Sequence, residues 1–155
     1  AARATGADGV VCLVSLPSFM SGIGEAVRRL RPSAPLAAVL VNPRVPVATP
    51  AVFAALGLSP GQAATEALHP PCDVASASII AACRNDLEPA AIRIAPVIAE
   101  VKHVLAAHGS DLVRMSGSGA TVFGLFADDR AAASAGTAIA RRWPSWWVQA
   151  ARLGV

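Results

Sequence analysis

The sequence predicts an α+β domain in which an antiparallel or mixed β-sheet carries its helices on one face. Three observations lead there. Gly9 to Leu16 and Leu36 to Val41 are short, nearly continuous apolar runs that suit buried strands. Between them and beyond stand segments of helical period bounded by capping and breaking residues. The resulting order of strand, helices, strand, strand, helix, strand lays helices on a sheet rather than bundling them.

Each element has its own signal. Gly9 to Leu16 reads as the first strand, and Gly22 to Leu30 as a short helix ahead of the breakers between Arg31 and Pro35. Leu36 to Val41 is a buried strand that ends at Asn42-Pro43. Thr49-Pro50 marks a helix start, threonine as N-cap and proline at the first helical position, and the helix runs to Leu56 before Gly57. Ser59-Pro60 repeats the signal for a short helix to about Leu68, followed by the loop His69-Pro70-Pro71. Asp73 caps a helix reaching Cys83. Asn85 to Pro89 then opens a long helix ending at Gly109, with Ala91, Ile94, Ile98, Val101 and Leu105 as its apolar face. Pro96 inside that pattern predicts a kink or a delayed start.

In the last third the period changes. Leu112 to Met115 and Ala120 to Phe126 read as strands joined by a tight turn over Ser116 to Gly119. Asp128 caps a helix over Asp129 to Arg142, acidic at its start and basic at its end, and Trp146 to Leu153 closes the sheet. The chain contains no internal repeat and no low-complexity linker, so its 155 residues read as one compact domain able to bury a core.

Composition narrows the function. The formal charge of +3 is mild and its cations are dispersed; Arg28, Arg29 and Arg31, and the pair Arg141 and Arg142, read as helix ends favoured by the dipole. No tyrosine is present and the aromatic residues do not interleave with arginine, so no nucleic-acid partner is expected. Cys12, Cys72 and Cys83 lack C-x-x-C spacing and read as reduced apolar fillers of a cytoplasmic protein. His69, His103 and His108 form no ligand pattern, so no protein-built metal site is expected. The uncharged stretches around Val45 to Thr65 are broken by Pro46, Pro50, Gly57, Pro60 and Gly61, which argues against a membrane span, and no signal peptide is visible.

The sharpest motif is Met115-Ser116-Gly117-Ser118-Gly119-Ala120-Thr121. Glycines alternating with serines leave backbone amides uncovered, able to approach a phosphate and donate to it beside the hydroxyls. The same glycines would equally serve a plain hairpin turn. No lysine follows as in a P-loop, and Val122 occupies the third glycine position of a dinucleotide fingerprint. Asn85-Asp86-Leu87-Glu88 is a helix-capping arrangement that could also steady a neighbouring loop or meet a substrate hydroxyl. Asp8, a lone carboxylate before an apolar strand, is either a cap or a general base orienting a hydroxyl.

Together these pieces resemble a family. Gly6-Ala7-Asp8-Gly9-Val10-Val11-Cys12-Leu13 resembles the G-A-D-V-P-V-C-L stretch of the diphosphocytidyl-methylerythritol kinases of the GHMP superfamily. Met20-Ser21-Gly22-Ile23-Gly24-Glu25 is similar to their M-x-G-I-G-E, and Val41 to Phe53 to their V-N-P-G-x-x-V-S-T-x-x-V-F. Asn85 to Pro89 matches N-D-L-E-P, and Met115 to Phe123 matches M-S-G-S-G-A-T-x-F, the third motif of the superfamily. The matches keep their order along nearly the whole chain.

The resemblance implies a two-layer, ferredoxin-like GHMP carboxy-terminal domain over residues 31–155, with a mostly antiparallel four-stranded sheet, and residues 1–30 as the tail of the amino-terminal domain. It implies a magnesium- and ATP-dependent kinase acting on the 2-hydroxyl of a cytidine-diphosphate-linked methylerythritol, in non-mevalonate isoprenoid biosynthesis. Asp8 inherits the role of base or orienter, Thr49 and Phe53 that of substrate-pocket residues, and Gly117, Ser118 and Gly119 a phosphate-positioning role. Three departures stand out: Gly9-Val10 replace the family's V-P, and Arg44 replaces the glycine after Asn-Pro. The family's amino-terminal lysine and P-x-G-x-G-L-G-G-G-S-S loop are not among these residues. The chain by itself is therefore expected to be inactive. Its non-methionine start points to processing or truncation, and apolar surface left open by truncation would favour self-association, most simply as a homodimer. The competing readings are a non-catalytic nucleotide- or partner-binding module on the same scaffold, and another GHMP kinase acting on mevalonate-pathway or homoserine substrates.

Overall fold

A computed structural model describes residues 16–22, 26–32, 34–57 and 74–154. The strand expected at Gly9 to Leu16 (all but its last residue), the helix near Pro60 to Leu68, and the Asp73 cap lie outside these residues. The chain divides into two compact units, one of Ala1–Pro35, Ala64–Ala82 and Gly154–Val155, the other of Leu36–Ala63 and Cys83–Leu153.

In the first unit, the segment expected to be helical is a hairpin. Strands β1 (Ser18–Ser21) and β2 (Ala26–Arg29) pair antiparallel, Ser18 opposite Arg29 and Ser21 opposite Ala26. Gly22 leaves β1 with φ of 67°, a left-handed conformation that reverses the chain and ends any continuous helix before it begins. Arg28 and Arg29 therefore lie on a strand rather than at a helix end. Arg31–Pro32 (β3) runs parallel to Val74–Ala75 (β5). Helix α2 (Ala77–Ala82) follows, and the Ser76 hydroxyl accepts the Ile79 N–H at 3.4 Å.

The second unit is a four-stranded antiparallel sheet. Its strands are β4 (Leu36–Asn42), β6 (Leu112–Met115), β7 (Val122–Phe126) and β8 (Trp147–Leu153), in spatial order β6-β7-β4-β8. Its helices are α1 (Thr49–Ala55), α3 (Glu88–Ile94), α4 (Val97–Ala107) and α5 (Asp129–Arg142). Strand, helices, strand, strand, helix, strand in this order is the ferredoxin-like arrangement.

Register fixes where the main helices lie. Val39 pairs with Gly124 on one side and Ala150 on the other, so the three share a face. A methyl group added to Gly124 would meet Leu105 of α4, and one added to Gly136 of α5 would meet Val39 and Ala150. Both helices thus cover the same face. Ile98, Val101 and Leu105 of α4 and Ala132, Ala135 and Ile139 of α5 close on Ala37, Val39, Val41 and Val122. Burying each of the larger aliphatic side chains contributes about 1.5–3 kcal/mol.

The long helix expected from Asn85 to Gly109 is two helices. Ala95, with φ −134° and ψ 85°, breaks the path ahead of Pro96, which cannot donate into a continuing helix. The change of axis takes Ile94 off the apolar face; it is 41% exposed, while Ala91, Ile98, Val101 and Leu105 are buried. Asp128 caps α5 as expected, accepting the Ala131 N–H at 2.8 Å. At the far end of α5, Trp143 stacks on Trp146 with centroids 5.1 Å apart and receives His108 edge-on. Cys83, expected as an apolar filler, is exposed because it lies in the open connection between α2 and α3. Among the described residues no helix is long and apolar enough to cross a membrane.

Candidate active site

The serine-glycine loop joins the edge strand β6 to β7. Ser116 donates its N–H to the Thr121 carbonyl at 2.9 Å, and Gly119 donates to the Ser116 carbonyl at 3.1 Å, closing a tight turn. Gly117 and Gly119 have φ of 56° and 96°, conformations that favour glycine. Gly119 also lies so close to the interior that an added methyl would come within 2.9 Å of Met115 Sδ. The Gly117 and Ser118 amides find no acceptor among the described residues. They remain available to an anion, as a phosphate-binding turn requires.

Two polar side chains from the connection into α3 grip this loop at its root. Asn85 Nδ2 donates to the carbonyls of Met115 at 2.9 Å and Gly117 at 2.8 Å. Its Oδ1 accepts the Leu87 N–H at 3.0 Å, which caps the turn leading into α3. Glu88 Oε2 accepts the Met115 N–H at 2.9 Å, and its other carboxylate oxygen pairs with Lys102 of α4. The Glu88 side chain is 16% exposed and that of Lys102 30%, so the pair is shielded from solvent more than an ordinary surface ion pair.

From the opposite direction come the residues after β4. Asn42 Nδ2 donates to Thr121 Oγ1 at 2.9 Å, fixing the far end of the loop. Its Oδ1 accepts the Arg44 N–H at 2.7 Å, an Asx turn that supports Arg44 at φ 58°. The Thr49 and Ser118 hydroxyls lie 2.8 Å apart in a hydrogen bond. Thr49 is thus not the N-cap of α1: that position is Ala48, and the threonine hydroxyl is engaged by the loop instead. Phe53 follows one turn later on α1 and is 43% exposed.

Residues 74–145 match the family described as GHMP kinases C terminal. Over 152 residues the chain is 50% identical to the 4-diphosphocytidyl-2-C-methyl-D-erythritol kinase of Methylobacterium radiotolerans, covering 95% of this chain and 52% of that protein. It is 50% identical over 159 residues to the protein of the same name from Methylorubrum extorquens, covering 99% and 55%. It is 48% identical over 164 residues to the one from Rhodopseudomonas palustris, covering 99% and 54%. What the chain is similar to throughout is GHMP kinases. A crystal structure titled 4-(cytidine 5'-diphospho)-2C-methyl-D-erythritol kinase superposes with a TM-score of 0.74 at 30% identity, covering 96% of this chain and 54% of that one. The chain spans about half the length of the curated relatives it matches.

Within this second unit the structure brings together Thr49, Ser118 and the glycines Gly117 and Gly119, with Phe53 one helical turn from Thr49. Asp8 lies outside the described residues. Sequence reasoning gave no role to Asn42, although it stands in the Asn-Pro block already noted, and left Asn85 and Glu88 undecided between cap and brace. The structure makes Asn85 a brace of the loop that also closes the turn ahead of α3, whose N-cap is Leu87. At Arg44, the left-handed φ supplies a reason for the glycine that the family's motif carries at this position.

Proposed function

We propose that this chain is the carboxy-terminal portion of a kinase that transfers the γ-phosphoryl group of ATP to the 2-hydroxyl of 4-diphosphocytidyl-2-C-methyl-D-erythritol. On this reading residues 31–155 form the carboxy-terminal domain and residues 1–30 close the amino-terminal one. What carries the proposal is the serine-glycine loop: it presents the free amides of Gly117 and Ser118 beside the Ser118 hydroxyl, inside a chain about half identical to enzymes of that name.

In the proposed reaction the 2-hydroxyl oxygen bonds to the γ-phosphorus while the bond to the β,γ-bridging oxygen breaks and ADP leaves. Asp8 accepts or directs the hydroxyl proton. Magnesium, carried with ATP, neutralises charge on the phosphates. The chain's own part is alignment. The loop amides hold phosphate oxygens where negative charge gathers, and donors fixed before the reaction cost no reorganisation. Thr49 orients Ser118 through their hydroxyl contact, and the exposed Phe53 ring offers a face on which cytosine can stack.

The test is ADP release by the protein expressed from its natural start codon, with three alcohols supplied separately: the cytidine-diphosphate-linked methylerythritol, mevalonate and homoserine. Turnover with the first alone is expected. Turnover with either of the others reassigns the substrate within the superfamily, and none with any of them removes the kinase reading in favour of a binding module.

A further inference from the structure

We propose that Asn85 and Glu88 are positioning residues for phosphoryl transfer, holding the serine-glycine loop in its phosphate-ready conformation by gripping both the backbone N–H and the backbone C=O of Met115. The inference rests on the kinase reading above and adds residues to which that reading gives no part.

The argument begins at the sheet edge. Among the described residues strand β6 pairs with β7 alone, so its outer edge has no strand partner there. The N–H and C=O of one strand residue point to the same side. At Met115, the last residue of β6, the N–H goes to Glu88 Oε2 and the C=O to Asn85 Nδ2. The connection into α3 thus substitutes for an absent neighbouring strand at the point where β6 becomes the loop. The second proton on Asn85 Nδ2 reaches two residues further, to the Gly117 carbonyl. With that carbonyl held by Asn85, the following amide, that of Ser118, is held in direction as well.

The chemistry of each side chain fits this task. Asn85 must donate twice to carbonyls and accept once from Leu87; a carboxamide does both, and a carboxylate can only accept. Glu88 must accept from Met115 while its charge is balanced, and Lys102 of α4 balances it. Through Lys102 the loop root is tied to the helix that packs across the sheet. Three elements, α3, α4 and β6, therefore fix the loop before any ligand arrives.

Replacement of Asn85 by Asp separates the two roles. Aspartate closes the Asx turn to the Leu87 N–H as well as asparagine does. It would, however, place a carboxylate against the Met115 and Gly117 carbonyls and push the loop away. The experiment compares Asn85→Asp, Asn85→Ala and Glu88→Gln with the unmodified protein, all expressed from the natural start codon. It reads backbone amide hydrogen exchange at residues 115–119, melting temperature, and kcat and KM for both substrates.

For Asn85→Asp we expect a melting temperature near that of the unmodified protein and faster exchange at Met115 and the loop. We expect kcat to fall on the order of 10- to 100-fold, the scale of a misplacement of about 1 Å, with KM for the alcohol substrate little changed. Glu88→Gln, which keeps an acceptor for Met115, should lose less. Two results overturn the proposal: Asn85→Asp retaining full kcat while Asn85→Ala loses it, which leaves an Asx turn ahead of α3 and nothing more, or loop exchange unchanged in both. Absence of turnover in the unmodified protein instead removes the kinase reading, and the catalytic role of the clamp with it. Turnover with unaffected variants removes the clamp alone.

Discussion

Two glycines at the helix-covered face of the sheet, Gly124 in strand β7 and Gly136 in helix α5, should respond in opposite directions to the same added methyl group. A Cβ on Gly124 would stand 3.0 Å from Ser110 Cβ, 3.2 Å from Leu105 Cδ2 and 3.3 Å from Ser110 Oγ. Ser110 lies in the turn between α4 and β6, where its Cβ can retreat only by moving backbone, and Leu105 is fully buried. Overpacking of this kind costs about 1–3 kcal/mol. The loss of chain freedom in the unfolded state returns about 0.4–1 kcal/mol. Gly124→Ala should therefore destabilise by between about 0 and 2.6 kcal/mol, about 1.3 kcal/mol at the centre. At about 2–4 °C per kcal/mol for a chain of this size, that central value lowers the melting temperature by about 3–5 °C.

Gly136 stands inside α5, where an added Cβ would find Ala150 at 3.7 Å and the Val39 methyls at 3.8 Å, ordinary contact distances. Alanine there should stabilise by about 0.5–1 kcal/mol through helix propensity. Urea unfolding followed by circular dichroism, with unchanged m-values, would report both. A stabilising Gly124→Ala, or a destabilising Gly136→Ala, would refute the placement of α4 and α5 on one face of the sheet.

Arg44→Gly relieves about 1–2 kcal/mol of left-handed strain at φ 58° and loses about 0.4–1 kcal/mol to the freer unfolded chain, so it should stabilise by somewhat under about 1 kcal/mol at the centre; chemical denaturation measures it. Asp128→Ala should cost about 1 kcal/mol by removing the cap on the Ala131 N–H, and Asp128→Ser should recover most of it. Asp129 is held below its ordinary value of 3.8 by its hydrogen bond from Arg152. Its contribution is therefore present above that value and is lost as pH falls through the lower folded-state value. Because the pair is exposed, Asp129→Asn should flatten only the acid end of the stability profile, and added salt should erase the difference.

Much of the second unit was legible because its signals are local. The apolar run of β4, the strand after the serine-glycine turn, and the Asp128 cap with acidic and basic ends on α5 each need only neighbouring residues to be read. The break at Pro96 was legible for the same reason, although its effect on Ile94 was not, since a change of helix axis alters which side of the next turn faces inward. The hairpin at Ser18–Arg29 was misread because eight or nine residues of mixed character satisfy helix and strand templates alike, and cross-strand pairing decided between them. The site was legible as a loop but not as an assembly. Asn85 meets Gly117 across 32 positions and Thr49 meets Ser118 across 69, separations at which spacing carries no information. Glu88 read as a helix-entrance acid, and its grip on Met115 depends on β6 being an edge strand, which topology alone reveals.

The central claim is tested most directly by phosphorus NMR of the product formed when the protein, expressed from its natural start codon, is given magnesium-ATP and the cytidine-diphosphate-linked methylerythritol. The account predicts a new phosphomonoester resonance coupled to the substrate's 2-position, absent with Asp8→Asn. ATP consumed without that resonance, or a phosphate carried on a different hydroxyl, would contradict it.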